Sequence, residues 1–173
     1  MITLGWLLAA VVCLALGACA VLNQPRFGKP PQGDRLEAIE QSPHYRDGVF
    51  RYPIETPMFS QDASMFSILW SSQFNKSERL YPDNPVPVTK TNLKALDPNT
   101  DVIVWLGHSS WFIRIGGKSV LIDPVFSDYA APFSFANKAY EGTSIYTAED
   151  MPDIDSLLIS HDHWDHLDYP SVV

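Results

Sequence analysis

The chain is 173 residues long, enough for one domain of ordinary size, and its first 22 residues, Met1 to Leu22, contain no charged side chain. Twelve Lys and Arg against twenty Asp and Glu give a formal charge of -8, all of it beyond that apolar start. Such an acidic balance excludes non-specific nucleic-acid binding, which needs basic side chains to displace counterions, and leaves small-molecule and lipid substrates open.

Thr3 to Leu22 is an apolar run of about the length that crosses a bilayer. Within it, Leu16-Gly17-Ala18-Cys19 resembles a bacterial lipobox, in which small residues precede a cysteine that is lipidated after cleavage. On that pattern Cys13 leaves with the signal and Cys19 carries lipid, so the mature protein has neither a free thiol nor a disulfide. One feature points the other way. No Lys or Arg precedes the run, whereas Arg26 and Lys29 come after it, and the positive-inside bias then favours an uncleaved anchor. The expectation is a bacterial cell-envelope lipoprotein, with an uncleaved N-terminal anchor as the alternative; both put the protein on a membrane.

Residues 23–98 read as a proline-rich arm. Prolines at 25, 30, 31, 43, 53 and 57 lack a backbone donor and bias their predecessors away from helix, so an extended path is expected over 23–60. Asp62 is the expected cap of a helix running to about Arg79, on which Met65, Phe66, Leu69, Trp70 and Phe74 recur at helical spacing. Core packing is favoured over lipid contact for that stripe. Pro82, Pro85 and Pro87 then separate the helix from the strand-rich region beyond it.

From residue 99 the character changes to strand. Val102-Ile103-Val104-Trp105-Leu106 is a continuous apolar run, suited to a strand buried on both faces. Trp111 to Ile115 and Lys118 to Ile122 flank Gly116-Gly117, whose glycines allow the positive φ of a tight hairpin. A loop from Val125 to about Ile145 leads to another buried-type strand, Ile154 to Ser160. Asp168-Tyr169-Pro170 then reads as a helix start, with Asp168 as cap and proline in the first turn.

The chemistry is concentrated in His161-Asp162-His163-Trp164-Asp165-His166. With five His and fourteen Asp in the chain, an H-x-H-x-D-H run arises by chance on the order of a few times in ten thousand such sequences. It sits directly after a strand and before a helix, where open α/β sheets place their ligand sites. His161 and His163, two apart on extended backbone, project to the same side and offer two imidazoles to one ion. Asp165 and His166 are adjacent, point differently, and suit a second ion. Mixed imidazole and carboxylate favour zinc, with manganese or iron as alternatives. Asp123, ending a strand before Pro124, either hydrogen-bonds a metal-binding histidine and holds its tautomer or is a turn aspartate. His108, between two strands, either faces the site or pins its own turn.

These residues resemble the metallo-β-lactamase superfamily, and within it the branch of N-acyl-phosphatidylethanolamine phospholipase D and its bacterial relatives. The likeness is carried by Trp105-Leu106-Gly107-His108-Ser109, by Leu121-Ile122-Asp123-Pro124-Val125-Phe126-Ser127, by Pro152-Asp153-Ile154-Asp155, and by Leu158 to Tyr169. It implies an α/β (α+β) fold, of which residues 99–173 form the N-terminal half of a four-layer αββα sandwich. It also implies two zinc ions, His161 and His163 on one, Asp165 and His166 on the other, with Asp165 orienting the attacking hydroxide. The implied chemistry is phospholipase D-like hydrolysis of a phosphodiester in a phospholipid. Hydrolysis of a lactone, thioester or other acyl compound is the alternative.

The family's further ligands come from its C-terminal half, and no histidine comes after His166 here. The expectation is therefore a fragment or an inactive remnant, binding zinc weakly and hydrolysing nothing alone. A non-catalytic truncated lipoprotein is the reading from another class.

Overall fold

The computed structural model describes residues 2–57, 59–60, 63–75 and 80–173. They form two compact units, Met1–Glu78 and Arg79–Val173.

In the first unit, α1 spans Ile2–Leu22. Its Gly5–Leu22 stretch has a mean hydropathy of 2.4 and is nowhere buried, so by length and composition it is able to cross a membrane. Asn23 ends the helix by donating from both its backbone and its side chain to the carbonyl of Cys19, and Pro25 lies just beyond. Residues 23–60 hold more local structure than the expected extended arm. A helix, α2, covers Asp34–Glu40, and a two-residue-strand hairpin joins β1 (Tyr45–Arg46) to β2 (Val49–Phe50). The prolines explain the difference, because the windows between Pro31, Pro43 and Pro53 are free of them. The first window begins its helix with Asp34 and Glu37, which suit the positive end of a helix dipole.

The next helix, α3, spans Met65–Phe74 and starts at Ser64, whose hydroxyl and backbone exchange hydrogen bonds with Ser67. The expected cap, Asp62, and the expected end near Arg79 lie outside the described residues. The apolar stripe is exposed rather than in a core. Phe66, Trp70 and Phe74 pack on one another along one edge of the helix, with ring centroids 6.0 and 4.4 Å apart.

The second unit is built on a four-stranded sheet in the order β3 (Val102–Gly107), β4 (Ser110–Ile115), β5 (Lys118–Ile122), β6 (Ser156–Leu158). The first three strands form an antiparallel meander, and β6 returns parallel to β5. Gly116 and Gly117 have φ of 56° and 73°, the left-handed pair that a two-residue turn between β4 and β5 demands. The pleat sorts the side chains into two faces. Val104, Phe112 and Leu121 stand in one cross-strand row, and Leu93, Leu106, Phe112, Leu121 and Tyr146 make the buried core on that side. Arg114 is buried there too, its guanidinium donating to the carbonyls of Leu96 and Asp97 at 3.2 Å each.

On the opposite face the row is Trp105, Trp111, Ile122, Leu158. Trp105 is 42% exposed, Trp111 40% and Leu158 52%. This corrects the expectation that the first and last of these strands are buried on both faces: among the described residues the first is covered on one face, and in the last both Leu157 and Leu158 are exposed. An apolar run cannot by itself distinguish a strand covered twice from one whose second layer is supplied elsewhere. Apolar side chains in register across the sheet call for a further packed layer, as a sandwich architecture provides. The last strand is also shorter than the expected Ile154 to Ser160, since the chain leaves the sheet after Leu158 and turns into the histidine run.

Candidate metal centre

Two strand ends and one turn build the site. Beyond β6, residues 163–167 close a turn in which the amides of His166 and Leu167 donate to the carbonyl of His163. Five residues of extended chain would separate His161 from His166 by about 16 Å. The turn instead brings their ring centroids to 4.0 Å, with the His163 ring 4.6 Å from that of His161. The extended backbone expected at His161 and His163 is thus corrected: the chain already bends at Asp162 and His163, and the turn brings His166 back to His161.

Asp123 enters from the end of β5, in the left-handed conformation at φ 43°, a rare state for a residue with a side chain. The residue is 4% exposed and its carboxylate fully engaged. Oδ2 lies 2.9 Å from Nδ1 of His166, and Ser160 donates its amide to Oδ1 and its hydroxyl to Oδ2, both at 2.7 Å. Ser160 Oγ also stands 3.0 Å from Nδ1 of His161 and 3.2 Å from Nδ1 of His166.

These contacts fix the tautomers by elimination. An ionised carboxylate only accepts, so His166 donates from Nδ1. Ser160 has one hydroxyl proton and directs it at Asp123, so its oxygen accepts from Nδ1 of His161. Both imidazoles are left with Nε2 lone pairs for a ligand, the orientation that metal-binding histidines take from a carboxylate behind them. Burial pushes the Asp123 carboxyl up, but His166, the Ser160 hydroxyl and the Ser160 amide together hold it below its ordinary value of 3.8.

Asp165 is placed beside His166, with Oδ2 3.8 Å from His166 Nε2. Two donors on one tetrahedral ion at ~2.1 Å are about 3.4 Å apart, so this pair needs only a small movement to share an ion. Burial raises the Asp165 carboxyl, but hydrogen bonding to His108 and the nearby imidazoles leave it below its ordinary value. Among the described residues, no three His, Cys, Asp or Glu side chains have their donors around a single point. The donor chemistry nonetheless fits a metal: nitrogen lone pairs on His161 and His166 are freed by hydrogen bonds behind them, and a carboxylate held in its charged form stands beside His166.

Sequence reasoning left His108 open and missed three serines. His108 Nε2 is 3.2 Å from Asp165 Oδ2, and Ser109 donates its hydroxyl to the Asp165 carbonyl. Ser160 carried one available signal, a hydroxyl immediately before the first histidine. Ser110 carried none, although its hydroxyl donates to the Asp123 carbonyl and accepts from the Val125 amide. Asp168 stands at the N-cap of α4 (Tyr169–Val172) but its carboxylate makes no capping bond to the helix backbone. It accepts instead from the Ser127 amide and hydroxyl and from the Ser171 hydroxyl, which ties the loop after β5 to the site. Cys19 lies exposed on α1, as does Cys13.

Asp123 carries a pH prediction. A carboxyl whose folded value lies below its unfolded one contributes stability above the unfolded value and loses it as pH falls through the folded value. The fold is therefore expected to weaken below about 3.8. Asp123→Asn should lower stability at pH 7 by about 1–3 kcal/mol and flatten that acid dependence, as read by urea unfolding across pH 3 to 7. An unchanged acid profile in the variant would remove the group from this role.

Residues 102–172 match the beta-lactamase superfamily domain. An uncharacterized protein of Mycobacterium tuberculosis is 33% identical over 134 residues, 78% of this chain and 36% of that protein. The N-acyl-phosphatidylethanolamine-hydrolyzing phospholipase D 1 of Caenorhabditis elegans is 34% identical over 99 residues, 56% of this chain and 27% of that enzyme. A UPF0173 metal-dependent hydrolase of Caldivirga maquilingensis is 33% identical over 63 residues, 36% of this chain and 22% of that protein. The chain thus spans about a third of the mycobacterial relative, 36% of its length, and less of the other two.

Proposed function

We propose that this chain, whose residues 102–172 match the beta-lactamase superfamily domain, contributes half of the metal site of a membrane-attached hydrolase acting on a phospholipid phosphodiester. The observation that carries the reading is the Asp123–Ser160 pair, which turns the imidazoles of His161 and His166 so that their Nε2 atoms are free. The metal, zinc by donor chemistry, would supply an activated water and offset charge on a phosphoryl oxygen. His161 and His163 would hold one ion, and Asp165 with His166 a second. Asp165 would orient the attacking water.

The phospholipid assignment draws on the C. elegans relative, whose name states that it hydrolyses N-acyl-phosphatidylethanolamine. Exposed, apolar α1 would keep the site near its substrate. The test is the full-length protein with zinc and vesicles containing N-acyl-phosphatidylethanolamine, with release of phosphatidate monitored by mass spectrometry. A parallel panel of lactones and thioesters runs beside it. Turnover of the lipid supports the reading; turnover confined to the acyl panel overturns its substrate half.

Attachment through Cys19 is part of the proposal. Cys19→Ser should abolish incorporation of labelled fatty acid and leave the protein on the membrane only if α1 is retained. Incorporation that survives the substitution would exclude Cys19 as the lipidation site, and an intact mass with α1 still present and no acyl group favours the uncleaved anchor.

A further inference from the structure

The turn between β3 and β4 is built under constraint. Gly107 has φ of 118°, and a Cβ there would stand 2.5 Å from the carbonyl oxygen of Thr143, so only glycine fits. His108 comes next, in the left-handed region at φ 44°, sparsely populated by any residue with a side chain. The indole of Trp105 donates to the His108 carbonyl at 2.9 Å and holds that conformation. The result is an imidazole directed at Asp165, 57 positions along the chain, with Nε2 3.2 Å from Oδ2, while the neighbouring Ser109 hydroxyl grips the Asp165 backbone carbonyl. One turn therefore fixes both the main chain and the side chain of a single aspartate.

A merely structural role explains this poorly. The His108 side chain is 46% exposed and that of Asp165 33%, and half-exposed ion pairs contribute little to stability. Backbone held in a rare conformation around a weak contact is typical of a site where geometry matters more than stability. His108 also lines a cavity of about 580 Å³, together with Tyr81, Phe135, Lys138 and Tyr140, so the ring stands between open space and Asp165.

We propose that His108, seconded by Ser109, is a positioning residue that holds the Asp165 carboxylate for the metal and its water. The inference rests on the metal-dependent hydrolase reading and adds a residue outside the H-x-H-x-D-H run. With His108 donating from Nε2, Asp165 keeps accepting lone pairs for a metal and loses its freedom to rotate away.

The test uses the full-length protein, stripped of metal and titrated with zinc against a chromophoric chelator, comparing wild type with His108→Ala, His108→Gln and Ser109→Ala. Ala and Gln meet the same backbone constraint at φ 44°, so the difference between them isolates the N–H donor. His108→Ala should weaken zinc binding by roughly 10–100-fold and lower kcat with little change in KM. His108→Gln, whose amide N–H reaches about as far as Nε2, should recover most of both, and Ser109→Ala should fall between. Zinc affinity in His108→Ala equal to wild type, or His108→Gln no better than His108→Ala, overturns the proposal. A wild-type protein that takes up no zinc overturns instead the hydrolase reading beneath it.

Discussion

On the proposed reading, replacing His163 with Ala in the full-length protein is expected to abolish hydrolysis, lowering kcat on the order of 10³-fold or more, while the metal-free protein unfolds at the wild-type temperature. The two halves of that result come from different atoms. The His163 side chain is exposed, whereas its backbone carbonyl closes the turn by accepting from His166 and Leu167. Alanine keeps the carbonyl and removes only the imidazole. Losing one ligand of an activating ion forfeits several kcal/mol of transition-state stabilisation, which is the stated loss in rate. Zinc stoichiometry, kcat and a thermal scan with and without chelator check all three terms. Asp162→Ala, at a neighbouring exposed position given no ligand role, is the control and should bind zinc and turn over as wild type. Equal activity in His163→Ala and Asp162→Ala would remove the metal chemistry from this motif.

How far the site was legible in the sequence depends on the range of the interactions. The histidine run was visible because residue spacing is a local property, and its position after a strand was readable from periodicity. The Gly116-Gly117 turn was legible for the same reason: two left-handed residues leave glycine as the natural choice. What the sequence did not show was the closure at His163 to Leu167, since nothing in Trp164-Asp165 spells a turn as Gly or Pro does. Ser109 and Ser110 were invisible because their roles are set by partners far along the chain, Ser110 to Asp123 and Ser109 to Asp165. Asp168 misled in an instructive way. Its place before a proline-started helix is a cap position, yet a buried carboxylate accepts from whatever donors surround it, and here those are Ser127 and Ser171. The apolar run Val102 to Leu106 misled more simply, because burial on two faces depends on a layer that a strand's own sequence cannot supply.

The largest loss of stability is expected from Phe112→Ala, and it should reach the site through the strand that carries it. Phe112 is wholly buried, in register with Val104 on one side and Leu121 on the other. Truncating a buried phenylalanine costs about 3–5 kcal/mol, part lost transfer energy and part cavity. In a core of five buried residues there is little to relax into the space, which argues for the upper part of that range. The neighbouring Trp111 points to the opposite face and is 40% exposed here, so it is the informative comparison. If Trp111→Ala in the full-length protein costs nearly as much as Phe112→Ala by urea unfolding, the outer face of the sheet is covered by a second layer, as the sandwich requires. A negligible cost at Trp111 would mean that this face meets solvent, and the four-layer architecture would not hold for this chain. The functional consequence differs as well. β4 carries Ser110, two residues before Phe112, whose hydroxyl links the Asp123 carbonyl to the Val125 amide. A sagging core beneath Phe112 lets Ser110 move, and Asp123 with it. The imidazole of His166 then loses its fixed direction, so on the proposed metal-dependent reading Phe112→Ala should weaken zinc binding in the fraction that remains folded, at temperatures well below its own unfolding transition.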